Sequence, residues 1–297
     1  MLPVYNGDDF LKTALNSILS QSYSNIEIII LDNQSTDKTS QICKDFSNKD
    51  KRIRYILDSK KRTANEAQTH LATLINGNYC MVAGDDDKWD KDYISILVSF
   101  LERNSQINMV YSRMFSFDVN DNILESNLPD TILLSNYSIF KNLSIYLCIR
   151  SCVPMVFGLF RSEKYIENIP WKIFDHTLTD VDNLFMINFL SKNKTHCISE
   201  SLFFYRSKDR SKQKEGSANE VWQINSAKNK FSKKIENFFH EILFFNEILK
   251  IIFNNKIIFY KSVILMFIAL FVGLERTFLN ISRPVGKMLK KLKIVRI

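Results

Sequence analysis

The sequence predicts an α/β protein built on a doubly wound, mostly parallel sheet, with a C-terminal helical extension. Three observations carry the prediction. Short β-branched runs alternate with stretches of helical period. Polar turns separate them at lengths that suit right-handed crossovers. Beyond residue 211 the alternation stops, and apolar and basic helical sequence replaces it.

Along the chain, Phe10, Leu11, Ala14, Leu15, Ile18 and Leu19 recur at helical spacing, with Asp8 as the expected N-cap. Ile26 to Leu31, IEIIIL, fits a strand covered on both faces. The polar turn DNQSTDKT leads into a helix through Phe46. Arg52 to Leu57 reads as a strand, Ala64 to Ile75 as a helix and Asn78 to Ala83 as another strand. After the triplet Asp85-Asp86-Asp87 a helix is expected near Lys91 to Arg103, then a strand over NMVYSRMFSF. From about Asp118, polar turns and a mixed segment run to Arg150. VPMVFGLF is expected to be a strand, TDVDNLFMINFL a helix and SLFFYR a strand. The basic SKDRSKQKEGS then links to a mainly helical tail. The expected units are residues 1–117, 118–211 and 212–297.

Hydrophobic residues make up 45% of the chain, which argues for a large packed core and against disorder. The formal net charge of +8 favours acidic partners without choosing among nucleotides, phosphates, nucleic acid and anionic lipid. Nucleic acid is not expected, because the aromatic residues lie in apolar runs rather than among the basic ones. The cysteines form no CxxC pair, which fits reduced, packed thiols. MLPVYNGDDF has neither the basic nor the apolar segment of a signal peptide, so a cytoplasmic location is expected.

Ligands of open α/β sheets bind beyond the carboxyl ends of the strands. Three informative stretches fall there: PVYNG (Pro3 to Gly7), LDNQSTD (Leu31 to Asp37) and GDDDKW (Gly84 to Trp89). Adjacent like charges repel, so the triplet needs a reason. Helix capping would account for Asp87 and Asp90, but not for Asp85 and Asp86. An EF-hand fails, because Trp89 occupies a ligand position and no glycine follows for the turn. A divalent cation shared with a phosphate accounts for all three, and hard oxygen ligands suit Mg2+ or Mn2+. There is no GxGxxG and no Walker loop.

The continuous stretch PVYNGDDFLKTALNSILSQSYSNIEIIILDNQSTDKT, followed by NGNYCMVAGDDDKW, resembles the family 2 glycosyltransferases of the GT-A fold. The match runs over Pro3 to Phe117, weakens towards Ser211 and leaves the tail uncovered. The resemblance implies a Rossmann-like sheet, a nucleotide-sugar donor (a UDP- or dTDP-sugar) and a divalent metal. It implies that Pro3, Val4 and Tyr5 pack around the nucleotide base and that Asp32 hydrogen-bonds it. Gly84 stands where the family's acidic motif often begins. The metal-binding pair is therefore Asp85 with Asp87, or Asp86 is the main ligand. Arg62 lies where relatives place a residue near the nucleotide, with a solvated surface charge as the alternative. The family also carries several residues ahead of Pro3, so the first strand is expected to be a stub or to start upstream of Met1.

Transfer with inversion needs a carboxylate to take the acceptor's proton. HTLTDVDNLF resembles the family segment that carries it: Asp180, by the family's spacing to NLF, and Asp182 are the candidates, with helix-capping aspartates as the alternative. On a helix they diverge by about 200°, so only one can face the sugar. YRSKDRS (Tyr205 to Ser211) resembles a closing loop of the family, with a solvated charge run as its alternative.

The expected function is transfer of a sugar to a glycan or lipid-linked acceptor in cell-surface polysaccharide synthesis. The alternative is a non-catalytic nucleotide-sugar-binding or assembly protein with a degenerate first strand. In the tail, Val263 to Leu274 is apolar but covers only twelve residues, against about 20 needed to span a bilayer. With the basic GKMLKKLKIVR behind it, the expectation is a helix on an anionic membrane surface, peripheral on the cytoplasmic face. A buried helix covering the catalytic domain is the alternative.

Overall fold

The computed structural model describes residues 1–124, 138–149, 155–169, 181–207 and 245–252. The first half is three strands alternating with helices. These are β1 (Leu2–Val4), α1 (Leu11–Leu19), β2 (Ile28–Asp32), α2 (Thr39–Lys49), β3 (Ile53–Leu57) and α3 (Ala64–Ala72). The strands lie in the order β1-β2-β3, all parallel, with Leu2 opposite Ile30 and Ile28 opposite Ile53.

Every residue of β2 is buried, and its side chains alternate between two cores. Ile28 and Ile30 pack with Leu11, Leu15 and Ile18 of α1 and with Ile42 and Cys43 of α2. Ile29 and Leu31 pack on the other face with Ala67 and Leu71 of α3. A strand covered on both faces has no polar side to present, and hence the unbroken apolar run.

The second half follows as β4 (Tyr79–Met81), β5 (Lys88–Trp89), α4 (Tyr93–Arg103), β6 (Met109–Phe117) and β7 (Ile123–Leu124). Then come α5 (Ile139–Ile149), β8 (Leu159–Arg161), α6 (Ser162–Glu167), α7 (Val181–Leu190), β9 (Thr195–Arg206) and α8 (residues 245–252). The strand order is β4-β8-β6-β9-β5, with β7 on the edge of β6. Met1 joins the two sheets: its amine donates to Met81 O at 2.8 Å, and Ala83 N–H donates to Met1 O at 2.8 Å. That pattern sets β4 parallel to β1. β1 to β4, β6 and β9 therefore run one way, and β5, β7 and β8 run the other.

Several expectations shift. Asp8 does not cap α1: the N-cap position is Phe10, with no side-chain cap, and Leu11 N–H donates to Gly7 O at 3.1 Å. VPMVFGLF is not one strand, because a 3-10 turn, Met155–Phe157, precedes β8. There Gly158 packs so close to Val110 O that an added Cβ would lie 2.8 Å from it. β5, immediately behind the acidic triplet, was not expected from the sequence. α3, by contrast, opens with a full capping box between Thr63 and Glu66.

Cys43, Cys80 and Cys197 are free and buried. Burial, before any other cause, pushes each thiol up to about 12. A further core gathers Phe160, Tyr165, Phe185 and Phe189 with Ile248, Ile251 and Ile252 of α8. Part of the tail thus packs on the domain. Among the described residues no helix is long and apolar enough to cross a membrane. The apolar and basic segment from Ile257 onward lies outside them.

Candidate active site

The carboxyl ends of β1, β2, β3 and β4 bring four loops together: residues 5–10, 33–38, 58–63 and 84–87. The first two interlock through short polar side chains. Asn6 sits in the left-handed region at φ 50, which lets its N–H reach Ser35 Oγ at 3.0 Å and its Oδ1 accept from Thr36 N–H at 2.8 Å. Gly7 N–H donates to Thr39 Oγ1 at 2.9 Å, and Asp8 N–H donates to Asp37 Oδ2 at 3.2 Å. Burial works against the charged form of Asp37, but hydrogen bonds from Thr39 and Asp8 outweigh it and hold the carboxyl below its ordinary value.

Asp32 is fully buried at the end of β2. Its Oδ1 accepts from Ser35 N–H at 2.9 Å, and its Oδ2 accepts from the Ser40 hydroxyl and from Tyr55 Oη at 3.0 Å. Burial, with the Asp32 charge adding to it, pushes Tyr55 up to about 12, so the phenol stays a donor. Asp32 thus fixes the start of the second loop from inside. Its neighbour Asn33 brackets the main chain of Arg62, accepting from N–H at 2.7 Å and donating to the carbonyl at 2.8 Å. Arg62 in turn pairs with the buried Asp58 at 2.5 Å. The guanidinium is therefore ion-paired and 18% exposed rather than a free surface charge. Tyr5, buried like Val4, accepts from Lys61 Nζ at 3.0 Å, and that ammonium sits 4.4 Å above the ring. Pro3 is half-buried in β1.

The acidic loop closes onto the first loop. A Cβ at Gly7 would lie 2.2 Å from Asp85 Oδ2, so only glycine admits the Asp85 carboxylate there. At Gly84 a Cβ would lie 2.5 Å from Asp87 Oδ2. Asp85 and Asp86 are half-buried, whereas Asp87 is 1% exposed and accepts from Arg206 N–H at 2.9 Å. Asp87 neither caps α4 nor joins the other two at the surface. Among the described residues no group of three or more His, Cys, Asp or Glu side chains is gathered to hold a metal. What remains fits Mg2+ or Mn2+ bound in their usual way, by one or two carboxylates with phosphate oxygens completing the shell. Asp85 and Asp86 are the two half-buried carboxylates of this loop.

Of the second-half candidates, Asp180 lies outside the described residues. Asp182 is exposed in the first turn of α7. Residues 208–211 of the loop expected to close over the site also lie outside them. A groove of about 450 Å3 lies at the amino-terminal ends of β1 and β4, lined by Met1, Ile18, Glu27, Tyr79 and Leu159. It opens away from the four loops and is not this site.

Sequence reasoning flagged LDNQSTD and YRSKDRS but gave Asp37 and Arg206 within them no role of their own, and it passed over Ser40 and Tyr55. Arg206 left a further sign: a charge closing the aromatic run SLFFY, where burial demands a partner.

The family model for glycosyl transferase family 2 matches residues 1–166. Glycosyltransferase GlyA of Streptococcus pneumoniae is 28% identical over 227 residues, which is 75% of this chain and 31% of that protein. Abequosyltransferase RfbV of Salmonella typhimurium is 35% identical over 109 residues, 36% of this chain and 33% of that protein. The chain thus spans about a third of the length of these relatives. Staphylococcus aureus TarS 1–349, solved in complex with UDP-GlcNAc, superposes with a TM-score of 0.66 at 14% identity, over 99% of this chain and 78% of that one. The sheet is accordingly of the Rossmann-like GT-A type. With its interlocked strand-end loops and the match over more than half its length, the chain belongs to glycosyl transferase family 2.

Proposed function

We propose that the chain is a glycosyltransferase that moves a sugar from a nucleotide-diphosphate donor to a hydroxyl of a glycan or lipid-linked acceptor, with inversion, in cell-surface polysaccharide synthesis. The observation that carries this is the seating of the Asp85 carboxylate on Gly7. It brings the acidic loop to the loop that would cradle the nucleotide. Pro3, Val4 and Tyr5 would flank the base, with Asp32 at the back of that pocket. Arg62, fixed by Asp58 and Asn33, would stand beside the nucleotide. Asp85 and Asp86 would hold Mg2+ or Mn2+, which when bound offsets the charge of the departing diphosphate.

The chemistry left to the protein is a single displacement. The acceptor oxygen attacks the anomeric carbon, the bond from that carbon to the diphosphate oxygen breaks, and the Asp180 carboxylate takes the hydroxyl proton. Residues 1–117 would form the donor half and 118–211 the acceptor half. Calorimetry with UDP, dTDP and GDP tests the donor site. The expected result is binding of UDP or dTDP that strengthens with Mn2+, and no binding of any of the three would overturn the proposal. A protein that binds donor but transfers no sugar would be the non-catalytic alternative.

The tail, residues 212–297, would bring the enzyme to its lipid-linked acceptor. Five basic residues, Lys287, Lys290, Lys291, Lys293 and Arg296, follow the apolar segment, and each is worth about 1 kcal/mol at an anionic surface. Full-length protein is therefore expected to cosediment with phosphatidylserine vesicles at low salt, and truncation after Asn254 to release it. If full-length protein stays in the supernatant, the tail is a packing element instead.

A further inference from the structure

We infer that Arg206 is a positioning residue for the acidic loop, setting how tightly the site takes a metal–diphosphate pair; this rests on the donor site proposed above. Arg206 ends β9, and its side chain is 1% exposed. A buried guanidinium must use its donors or forfeit several kcal/mol of solvation. Here they go to three separate segments of the site. Nε donates to Asp86 O at 2.9 Å, so the guanidinium holds the main chain of a proposed metal ligand. Nη1 donates to Asp118 O at 3.0 Å and pairs with Asp121 Oδ1 at 2.8 Å, both at the β6–β7 turn. The main-chain N–H of the same residue fixes Asp87 at 2.9 Å.

Aromatic rings complete the clamp. The guanidinium carbon lies 4.2 Å from the ring centroid of Phe10, at the start of α1, and 4.2 Å from that of Phe117, at the end of β6. Arginine suits this place because its planar cation can contact two rings while donating in its own plane. One residue therefore ties the first loop, the acidic loop and the β6–β7 turn together. Its guanidinium charge is paired with Asp121, while its hydrogen bonds to the acidic loop run through main-chain atoms of Asp86 and of Arg206 itself. A lysine keeps the charge but has neither the plane nor the fork.

Arg206→Lys is expected to weaken Mn2+-dependent binding of UDP or dTDP by about 10-fold, the scale on which outer-shell partners of a metal site act. Binding without metal should not change. Arg161→Lys is the control for a merely structural arginine: Arg161 donates to Ile107 O at 3.0 Å and Leu101 O at 2.7 Å, and pairs with Tyr79 at the far end of β4. It should lower the melting temperature and leave Mn2+-dependent binding alone.

Equal loss in both variants, or none in Arg206→Lys, would overturn the inference while the donor site stands. A wild type that binds none of UDP, dTDP and GDP would remove the donor site and this inference with it. Should Arg206→Lys fail to fold, Asp121→Asn removes the exposed carboxylate that pairs with Arg206 and with Lys88, and Lys88→Gln removes the second pair alone. Weaker Mn2+-dependent binding in Asp121→Asn than in Lys88→Gln supports the role, and equal binding in the two overturns it.

Discussion

Asp180→Asn is expected to lower sugar transfer by about 10²-fold or more while the calorimetric Kd for the donor nucleotide stays as in the wild type. The factor is the usual worth of a positioned general base. Asparagine keeps the shape of the side chain but cannot accept the proton that leaves the acceptor hydroxyl. Donor affinity should hold, because the groups proposed to bind the nucleotide lie in the four strand-end loops of the first half. Asp182→Asn is the discriminating comparison. Asp182 is exposed in the first turn of α7, where a carboxylate is favoured by the helix dipole whatever its chemistry. A single carboxylate serves as the base of the transfer, so one variant and not both should lose activity. Loss in Asp182→Asn with retention in Asp180→Asn would move the base to Asp182. Retention in both would leave a donor-binding protein without this catalytic group.

The parts of the fold that were legible in the sequence are those set by burial on both faces. IEIIIL fits a covered strand, and Ile28 to Leu31 within it alternate between two cores. Helical period located α1 to α4 and α7 in the same way. What the sequence hid was direction. Asp8, Asp32 and Asp87 look alike in one dimension: an acidic residue near a strand end or a helix start. In three dimensions Asp8 accepts from Lys38 N–H at 3.4 Å, and Asp32 is buried among internal donors. Asp87 turns beneath its own loop to Arg206, 119 residues away in sequence. Contacts at that separation carry no periodic signal. The clamp around Arg206 is long-range for the same reason, since it draws on Phe10, Asp86, Phe117 and Asp121 at once.

The difference in direction within the triplet separates two kinds of loss. Asp85→Asn and Asp86→Asn are each expected to weaken Mn2+-dependent binding of the donor nucleotide by about 10- to 150-fold, since interactions with charged groups are worth about 1.5–3 kcal/mol. Binding without metal should change little, and relief of repulsion between neighbouring carboxylates should keep the fold intact. The asparagine at 85 preserves the packing against Gly7 that an alanine would abandon. Asp87→Asn should behave differently. Its carboxylate is buried and accepts a main-chain hydrogen bond from Arg206, so the loss falls on stability, by about 1–3 kcal/mol, before it falls on metal affinity. Calorimetry with and without Mn2+, beside a denaturant titration of each variant, reads both quantities. Unchanged Mn2+-dependent affinity in Asp85→Asn and Asp86→Asn would remove the metal from these carboxylates. A collapse of that affinity in Asp87→Asn at wild-type stability would make Asp87 a ligand after all, and the inward hydrogen bond to Arg206 a state that donor binding must open.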